Sequence, residues 1–400
     1  MEQRATLRLL VLGAILLLGV NAAPHSSTYL FTWAMEIRNP GADMPEMATM
    51  GKDFLAVFDV APDATSFGRL VAMLPVGVGA KMAHHTSYAL PPNDVLFAND
   101  WLADRTYAID VRDPLHPRLV FGFANVGRYM YPHSFVYLSN GNTLATFQYS
   151  GGYNRAPGGL VELDARGKAV KTSSAAAPAV DRNVRPYSLA VVESLDRIVT
   201  SSADMMGAQK SHVVQVWRLS DLKLLKTLSL PESPHWYADD AADSSEPRVL
   251  GDGHTVVVPT FHCGLFIVEK LATNPTLKHV YDAGYRTCEV PVVVGNYLVL
   301  AMQSGHAVAS LDIRDPQHPR EASRLLLAPD QYPHWLAIEP GGDRIVITGV
   351  GSLQTHALFA RIDRDTGELT LDPQSIDFTR MWPDGWNGPA MPHGAVFSNQ

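Results

Sequence analysis

Short Pro-His strings recur along this chain, and each stands directly before an apolar run. Four are plain in the sequence: YPHSF at 131–135, SPHWY at 233–237, YPHWL at 332–336 and MPHGA at 391–395. With three related sites they form one series, which we call the axial positions: His85, His133, Tyr187, His235, Glu289, His334 and His393. A repeat of about fifty residues predicts a β-propeller in which each repeat forms one blade.

The spacing of the axial positions is regular. In four repeats an apolar pair begins eleven residues after the axial residue, at Leu96, Leu144, Ile198 and Ile345. Successive axial positions are 48, 54, 48, 54, 45 and 59 residues apart. Seven positions at this spacing predict seven blades.

Short β-rich runs bounded by Gly, Asn, Asp and Pro fill most of the remaining chain, and we find no long amphipathic helical pattern. Seven of the runs end in an acidic or polar turn: LAVFDVAPD, YAIDVRDP, LVELDARG, VQVWRLSD, LFIVEKLA, ASLDIRDP and FARIDRDTG. The first has no axial position ahead of it, and His393 has no such run behind it. We therefore predict an all-β, seven-bladed propeller closed by pairing of the N- and C-terminal strands in one blade, which protects the sheet edges.

The topology of a propeller explains why these histidines would meet. The first strand of each blade lines the central channel, so its start and the end of the second strand lie on one face of the disc. His262 in PTFHCG and His306 in QSGHA stand where second strands end. His84 should point away from His85 by strand alternation, unless the pair is bent.

Several neutral imidazoles at one channel mouth need polar partners, and a transition metal is an economical one. An all-imidazole set without thiolates suits copper, iron or zinc, whereas the scarcity of carboxylates argues against calcium and magnesium. The alternative is a polar channel filled with water. Ligand type alone does not choose among the three metals.

The N-terminal segment predicts export. Arg4 and Arg8 precede the apolar run LLVLGAILLLGV, which is short for a membrane span and ends near Ala22. We interpret residues 1–22 as a signal peptide, the alternative being an uncleaved anchor, and residues 23–400 as a single propeller domain in a secreted or periplasmic protein without a stable membrane span. The net charge of −8 and the absence of a basic patch argue against nucleic acid as a partner.

The chain has two cysteines, each beside a residue of interest: Cys263 follows His262, and Cys288 precedes Glu289. They fall on adjacent predicted blades and on the same predicted face. An exported chain permits a disulfide between them, and a free thiolate that binds copper is the alternative.

Several of these motifs resemble those of the selenium-binding protein family, whose enzymatically characterised members are methanethiol oxidases. DFLAVFDVAPDATSFGRLV is similar to the family's opening segment, AHHTSY to its LHHSGWN, and YPHSF with GGLVELDARGKAV to its HTSHCL and GGFVLLDGETFEV. SGHAVASLDIRDPQHPR and the terminal AMPHGAVF also have counterparts. The resemblance implies a seven-bladed propeller in which histidines bind copper, and oxidation of a small thiol by oxygen to an aldehyde, sulfide and peroxide.

Carried over residue by residue, the resemblance supports His84, His85, His133, His306 and His393 as ligands, while His235 and His334 rest on the repeat alone. The candidate metal ligands are thus His84, His85, His133, His235, His262, His306, His334 and His393. The leading hypothesis is an exported copper oxidase of a small thiol. The alternatives are another histidine-ligated metalloenzyme, such as an iron dioxygenase, and a non-catalytic propeller that binds metal or ligand.

Overall fold

A computed structural model of the protein describes residues 28–37, 50–62, 64–76, 82–205, 211–230, 243–285, 287–349, 354–379, 386 and 389–399. The predicted signal peptide and the candidate ligand His235 lie outside these residues. Within them no helix is long and apolar enough to cross a membrane. The only helical turns there are two short 3-10 segments, Glu193–Leu195 and Gln303–Gly305.

The described residues form a seven-bladed β-propeller of 28 strands, four in each blade. The chain opens with β1 (Tyr29–Ile37), β2 (Met50–Asp59) and β3 (Arg69–Val76). Blade 1 contains β4 (Ala83–Thr86), β5 (Val95–Asp100), β6 (Arg105–Asp110) and β7 (Arg118–Phe123). Blade 2 contains β8 (Tyr129–Tyr137), β9 (Thr143–Ser150), β10 (Gly159–Leu163) and β11 (Ala169–Ser174). Blade 3 contains β12 (Pro186–Val192), β13 (Arg197–Ser202), β14 (Val213–Arg218) and β15 (Leu224–Ser229).

The second half of the ring repeats this plan. Blade 4 contains β16 (Arg248–Val249), β17 (Val256–Pro259), β18 (Gly264–Glu269) and β19 (Thr276–Asp282). Blade 5 contains β20 (Val292–Val294), β21 (Tyr297–Met302), β22 (Ala307–Asp312) and β23 (Arg320–Leu326). Blade 6 contains β24 (Pro333–Ile338), β25 (Arg344–Gly349), β26 (His356–Ile362) and β27 (Leu369–Asp377). The last strand is β28 (Ala390–Phe397).

The two ends of the chain meet in the closing blade, whose strand order is β28-β1-β2-β3. Strand β28 runs antiparallel to β1, with Leu30 opposite Phe397 and Glu36 opposite Ala390. The predicted fold class and the predicted mode of closure are both confirmed. Because β28 pairs with β1, the closing blade has four strands like the others, and the innermost strand of every blade is paired with a neighbour.

Large apolar side chains hold neighbouring blades together. Phe54 on β2, Trp335 on β24, Phe359 on β26 and Trp386 are all fully buried in one core between blade 6 and the closing blade. The rings of Phe54 and Trp386 stack with centroids 4.8 Å apart. Burying an aromatic side chain of this size contributes about 1.5–3 kcal/mol to folding, so contacts of this kind fix the blades, and with them the inner strands.

The inner strands are irregular at the axial positions. The strand register shifts between Ala83 and Thr86 in blade 1 and opposite Thr32 and Ala34 in the closing blade. It shifts in the same place in three further blades, between Pro132 and Phe135, between Pro186 and Leu189, and between Pro333 and Trp335. Each shift is a β-bulge or similar irregularity that redirects a side chain. Proline is tolerated there because the inner strand is the edge strand of its blade, where a missing N–H is acceptable. This accounts for the repeated Pro-His strings.

Side chains of the second strands satisfy the backbone groups that the bulges release. The amide of His85 donates to Oδ1 of Asn99 at 2.7 Å, and the amide of Ser134 donates to Oγ1 of Thr146 at 3.0 Å. In blade 3 the amide of Ser188 donates to Oγ of Ser201, also at 3.0 Å. Because buried amides need acceptors, these bonds hold each bulge in a single conformation.

Candidate metal centre

Five histidines meet at the axis of the propeller. They are His84 and His85 on β4, His133 on β8, His334 on β24 and His393 on β28. Each is at most 6% exposed. Nε2 of His85 lies 3.4 Å from Nε2 of His334, and the rings of His334 and His393 are 4.4 Å apart between centroids. Four consecutive blades of the ring, 6, closing, 1 and 2, therefore supply one cluster, as the repeat predicted.

The pair His84-His85 departs from strand alternation. Their rings stack with centroids 3.8 Å apart and an interplanar angle of 6°, and the ring of His84 lies 4.7 Å from that of His393. The β-bulge at Ala83–Thr86 places both side chains on the axial side. The expectation that His84 points away from His85 is wrong. The pair is bent instead, which was the stated exception to strand alternation.

Three of the imidazoles face a carbonyl or carboxylate oxygen on the side away from the cluster. Nδ1 of His133 donates to the carbonyl of Tyr187 at 2.8 Å. Nδ1 of His85 faces Oε1 of Glu246 at 3.8 Å, and Nδ1 of His334 faces Oε2 of Glu289 at 3.7 Å. Carboxylates and carbonyls in this position orient metal-binding imidazoles and fix their tautomer, leaving the other nitrogen for the ion.

Glu246 is held by a hydrogen-bond network that crosses the channel. The hydroxyl of Tyr88 donates to Oε2 of Glu246, and Oγ of Ser188 donates to the same oxygen at 2.6 Å. Arg248 contacts Oε2 at 3.2 Å, and its guanidinium lies 3.8 Å from the centroid of the Tyr88 ring. The Tyr88 ring also stacks on Trp335 at 5.5 Å. Tyr88 thus links blades 1, 3, 4 and 6 beside the histidines.

Burial lowers the pKa of every imidazole in the cluster. The pKa values of His84, His85 and His334 fall well below the usual 6.5, first because of desolvation and then because neighbouring imidazoles repel a second charge. Desolvation lowers the pKa values of His133 and His393 to about 3. All five are therefore neutral near pH 7, which is the form that binds metal ions.

The cluster fits a transition-metal ion. Nδ1 of His84, Nε2 of His133 and the ring nitrogens of His393 are buried and lack a well-formed hydrogen bond to any described residue. Two sets of ligand atoms come within 4.8 Å of one another, His84-His85-His334-His393 and His85-His133-Glu246. Buried nitrogens without partners are costly, and coordination to a soft or borderline cation would satisfy them.

Of the other three predicted ligands, two lie outside the cluster and one is not described by the structure. His235 is outside the described residues. His262 lies half-buried in the β17–β18 turn, outside both sets of ligand atoms. His306 is also outside them: its Nδ1 donates to the carbonyl of Gln331 at 2.9 Å, and its ring contacts Tyr332. His262 and His306 both lie in turns that follow second strands. Because second strands lie about 4.8 Å farther from the axis than the inner strands, these two histidines lie outside the cluster.

Glu246 is the residue of the candidate site that the sequence analysis missed. It precedes β16 by two residues and supplies the axial side chain of blade 4, as Glu289 does in blade 5. Counting eleven residues back from Val257 in β17 arrives at Glu246, so the spacing rule contained the signal. The Pro-His string SPHWY, which lies upstream of Glu246, led instead to His235 as the axial residue of this blade.

Cys263 and Cys288 form a disulfide bond, and the described residues contain no free cysteine. The bond joins the β17–β18 turn of blade 4 to the segment that enters blade 5. Both cysteines are buried beside the apolar core of blades 4 and 5. The disulfide therefore ties blade 4 to the segment that carries Glu289.

We expect the substitution Glu246→Gln to weaken metal binding about 10- to 100-fold, because it removes the charge that orients Nδ1 of His85. Competition with a chromophoric chelator measures the affinity. The matched control is Glu193→Gln, whose exposed carboxylate binds Ser139 and should leave the affinity unchanged. Equal affinities for Glu246→Gln and the wild type would mean that Glu246 does not act on the site.

Comparison with known proteins shows the fold. No protein-family model matches the sequence, and no curated protein matches it. A hypothetical selenium-binding protein from Sulfolobus tokodaii has a similar structure, with a TM-score of 0.67 over 93% of this chain and 94% of that one, at 15% identity. The periplasmic gluconolactonase PpgL from Pseudomonas aeruginosa gives 0.60 over 92% and 99%, at 13% identity.

A third similar structure is apo AztD from Citrobacter koseri, with a TM-score of 0.50 over 93% of this chain and 98% of that one, at 12% identity. Proteins with different names thus share this architecture. Function must be argued from the site rather than from the fold.

Proposed function

We propose that this protein binds copper at the axial histidines and oxidises a small thiol with oxygen. The observation that carries the proposal is the meeting of five buried, neutral imidazoles on four inner strands, with several ring nitrogens that lack a well-formed hydrogen bond to any described residue. The motif resemblance to selenium-binding proteins supports the choice of copper and of a thiol, and the structure of a hypothetical selenium-binding protein shares the fold.

The ligand set would be His84, His85, His334 and His393, whose ligand atoms lie within 4.8 Å of one another, with His133 and Glu246 beside His85. Bound there, copper would supply a Lewis acid for a thiolate and a redox couple between the thiol and oxygen. The reaction consumes one thiol of the form RCH2SH, one oxygen and one water, and it yields one aldehyde, one hydrogen sulfide and one hydrogen peroxide.

The chain's own residues would prepare the site for this chemistry. Tyr88 and Arg248 fix Oε2 of Glu246, which leaves Oε1 facing His85 and able to accept a proton released by the thiol. The burial of the cluster excludes water and strengthens these interactions. Export is part of the proposal, supported by the N-terminal apolar segment and by the disulfide, which suits an oxidising compartment.

The test is oxygen uptake by the copper-loaded protein with methanethiol as substrate. We expect sulfide and peroxide to form in equal amounts, with one oxygen consumed per thiol. Protein that binds copper without consuming oxygen would overturn the oxidase proposal and favour the second candidate, a metal-binding propeller. That candidate draws support from the near-complete burial of all five histidines. Protein that takes up no metal would contradict both.

A further inference from the structure

Blade 5 differs from its neighbours in how it carries its axial residue. In blades 2, 3 and 6 the axial residues His133, Tyr187 and His334 lie within the inner strand, with ladder pairs on both sides. Strand β20 of blade 5 has only three residues, Val292–Val294, and it begins three residues after Glu289. The strand ladder of blade 5 therefore does not extend to Glu289, and another feature must fix the position of this residue.

Glu246, the other axial carboxylate, also precedes its inner strand, but hydrogen bonds hold its side chain. Oε2 of Glu246 accepts from the hydroxyls of Tyr88 and Ser188. Among the described residues the carboxylate of Glu289 has no counterpart to this network, and it meets the cluster through Oε2, 3.7 Å from Nδ1 of His334. The place of the Glu289 side chain therefore depends on its backbone.

The disulfide fixes that backbone directly before Glu289. Cys288 is the preceding residue, and it is bonded to Cys263 in the β17–β18 turn of blade 4. Both cysteines are at most 1% exposed. On the other side of Glu289 the amide of Val290 donates to the carbonyl of His334 at 2.9 Å. Glu289 thus lies between a covalent anchor on blade 4 and a hydrogen bond to the residue whose imidazole it faces.

The turn that carries Cys263 is built around this bond. Cys263 has a left-handed backbone with φ of 65°, a conformation in which glycine is usually preferred. Its amide donates to the carbonyl of Thr260 at 2.9 Å, and its carbonyl accepts the amide of Ala283 at 3.0 Å. A residue other than glycine persists in this conformation only where its surroundings determine it, and such residues cluster at functional sites. The turn therefore holds a strained cysteine whose side chain serves the bond to Cys288.

We propose that the Cys263–Cys288 disulfide is a positioning element of the metal centre, which holds Glu289 against Nδ1 of His334. The chain then reaches its full metal affinity only when both cysteines are oxidised. That oxidation joins two thiols in one disulfide and passes two electrons and two protons to a disulfide acceptor such as oxidised glutathione, which becomes two thiols. The inference rests on the metal binding of the proposed function and not on the oxidation of a thiol substrate.

The test is a double-mutant cycle on the affinity for Cu(II), measured by competition with a chromophoric chelator. Cys263→Ala/Cys288→Ala removes the bond and leaves no thiol that could bind copper. We expect it to weaken binding about tenfold, and Glu289→Ala to weaken it about 10- to 100-fold, because the imidazole of His334 loses its orienting group. In the Glu289→Ala background, loss of the disulfide should change the affinity by less than about twofold, since no carboxylate remains to be positioned.

The control is Leu369→Ala in β27, the outermost strand of blade 6, which lowers stability by opening a cavity and should leave the affinity unchanged within about twofold. Circular dichroism establishes folding, and Cys263→Ala/Cys288→Val, which refills the space of the sulfur atoms, replaces an alanine pair that does not fold. Equal affinities with and without the disulfide would overturn the inference. So would a tenfold loss that persists in the Glu289→Ala background, since the disulfide would then act through stability alone. Copper binding without oxygen uptake would overturn the oxidase proposal and leave this comparison of affinities in force.

Discussion

The double substitution His334→Ala/His393→Ala should remove metal binding almost completely. These two rings lie 4.4 Å apart, and they come from adjacent blades whose backbones cannot approach further to replace a lost ligand. A four-ligand zinc site is worth about 10–16 kcal/mol, or roughly 3 kcal/mol per ligand. Losing two ligands should therefore weaken binding by about four orders of magnitude.

Metal content after dialysis against a weak chelator measures this loss. We expect about one equivalent in the wild type and less than about 0.1 in the double variant. The control is His318→Ala, whose side chain is 73% exposed on the opposite face and binds Asp315. Circular dichroism establishes that the variant is folded. A folded double variant that retains a full equivalent would show that the ion binds elsewhere.

The metal-free protein should become less stable as the pH falls below about 6.5. The pKa values of His133 and His393 are about 3 in the folded protein and about 6.5 in the unfolded chain, so only the unfolded chain takes up protons in this range. At pH 5 each of these two histidines should lower the free energy of unfolding by roughly 2 kcal/mol relative to pH 7, and the two together by roughly 4 kcal/mol. The loss should continue until about pH 3.

Urea unfolding at pH 7 and pH 5, with a chelator present, measures this change. The pKa of Glu289 is raised well above its usual value, first by burial and then by the charge of Glu246, so Glu289 acts in the opposite direction. The histidine contribution is therefore obtained by comparing the wild type with His393→Asn, which cannot titrate at that position. Between pH 7 and pH 5 the free energy of unfolding of the variant should fall by about 2 kcal/mol less than that of the wild type. The same pH dependence in both proteins would contradict the buried, neutral state of His393.

The ring, its closure and four of the cluster residues could be predicted because they repeat. One copy of Pro-His carries little information, but His133, His334 and His393 stand at equivalent positions of a closed ring, so their meeting follows from topology. His85 follows from the same spacing without a proline.

Features that depend on local backbone geometry could not be predicted in the same way. The orientation of His84 depends on a bulge within a four-residue strand, which strand alternation does not describe. The separation of His306 from the cluster depends on the radial distance between first and second strands and on its bond to Gln331. The network of Tyr88 with Ser134, Ser188 and Glu246 joins four blades, and no spacing along the chain relates its members.

The measurement that most directly tests the central claim is electron paramagnetic resonance of the wild-type protein loaded with one equivalent of Cu(II) and dialysed. The account predicts about one copper ion per chain, with hyperfine splitting from several imidazole nitrogens that disappears in His334→Ala/His393→Ala. Less than about 0.1 equivalent of retained copper, or a spectrum with oxygen ligands alone, would contradict it.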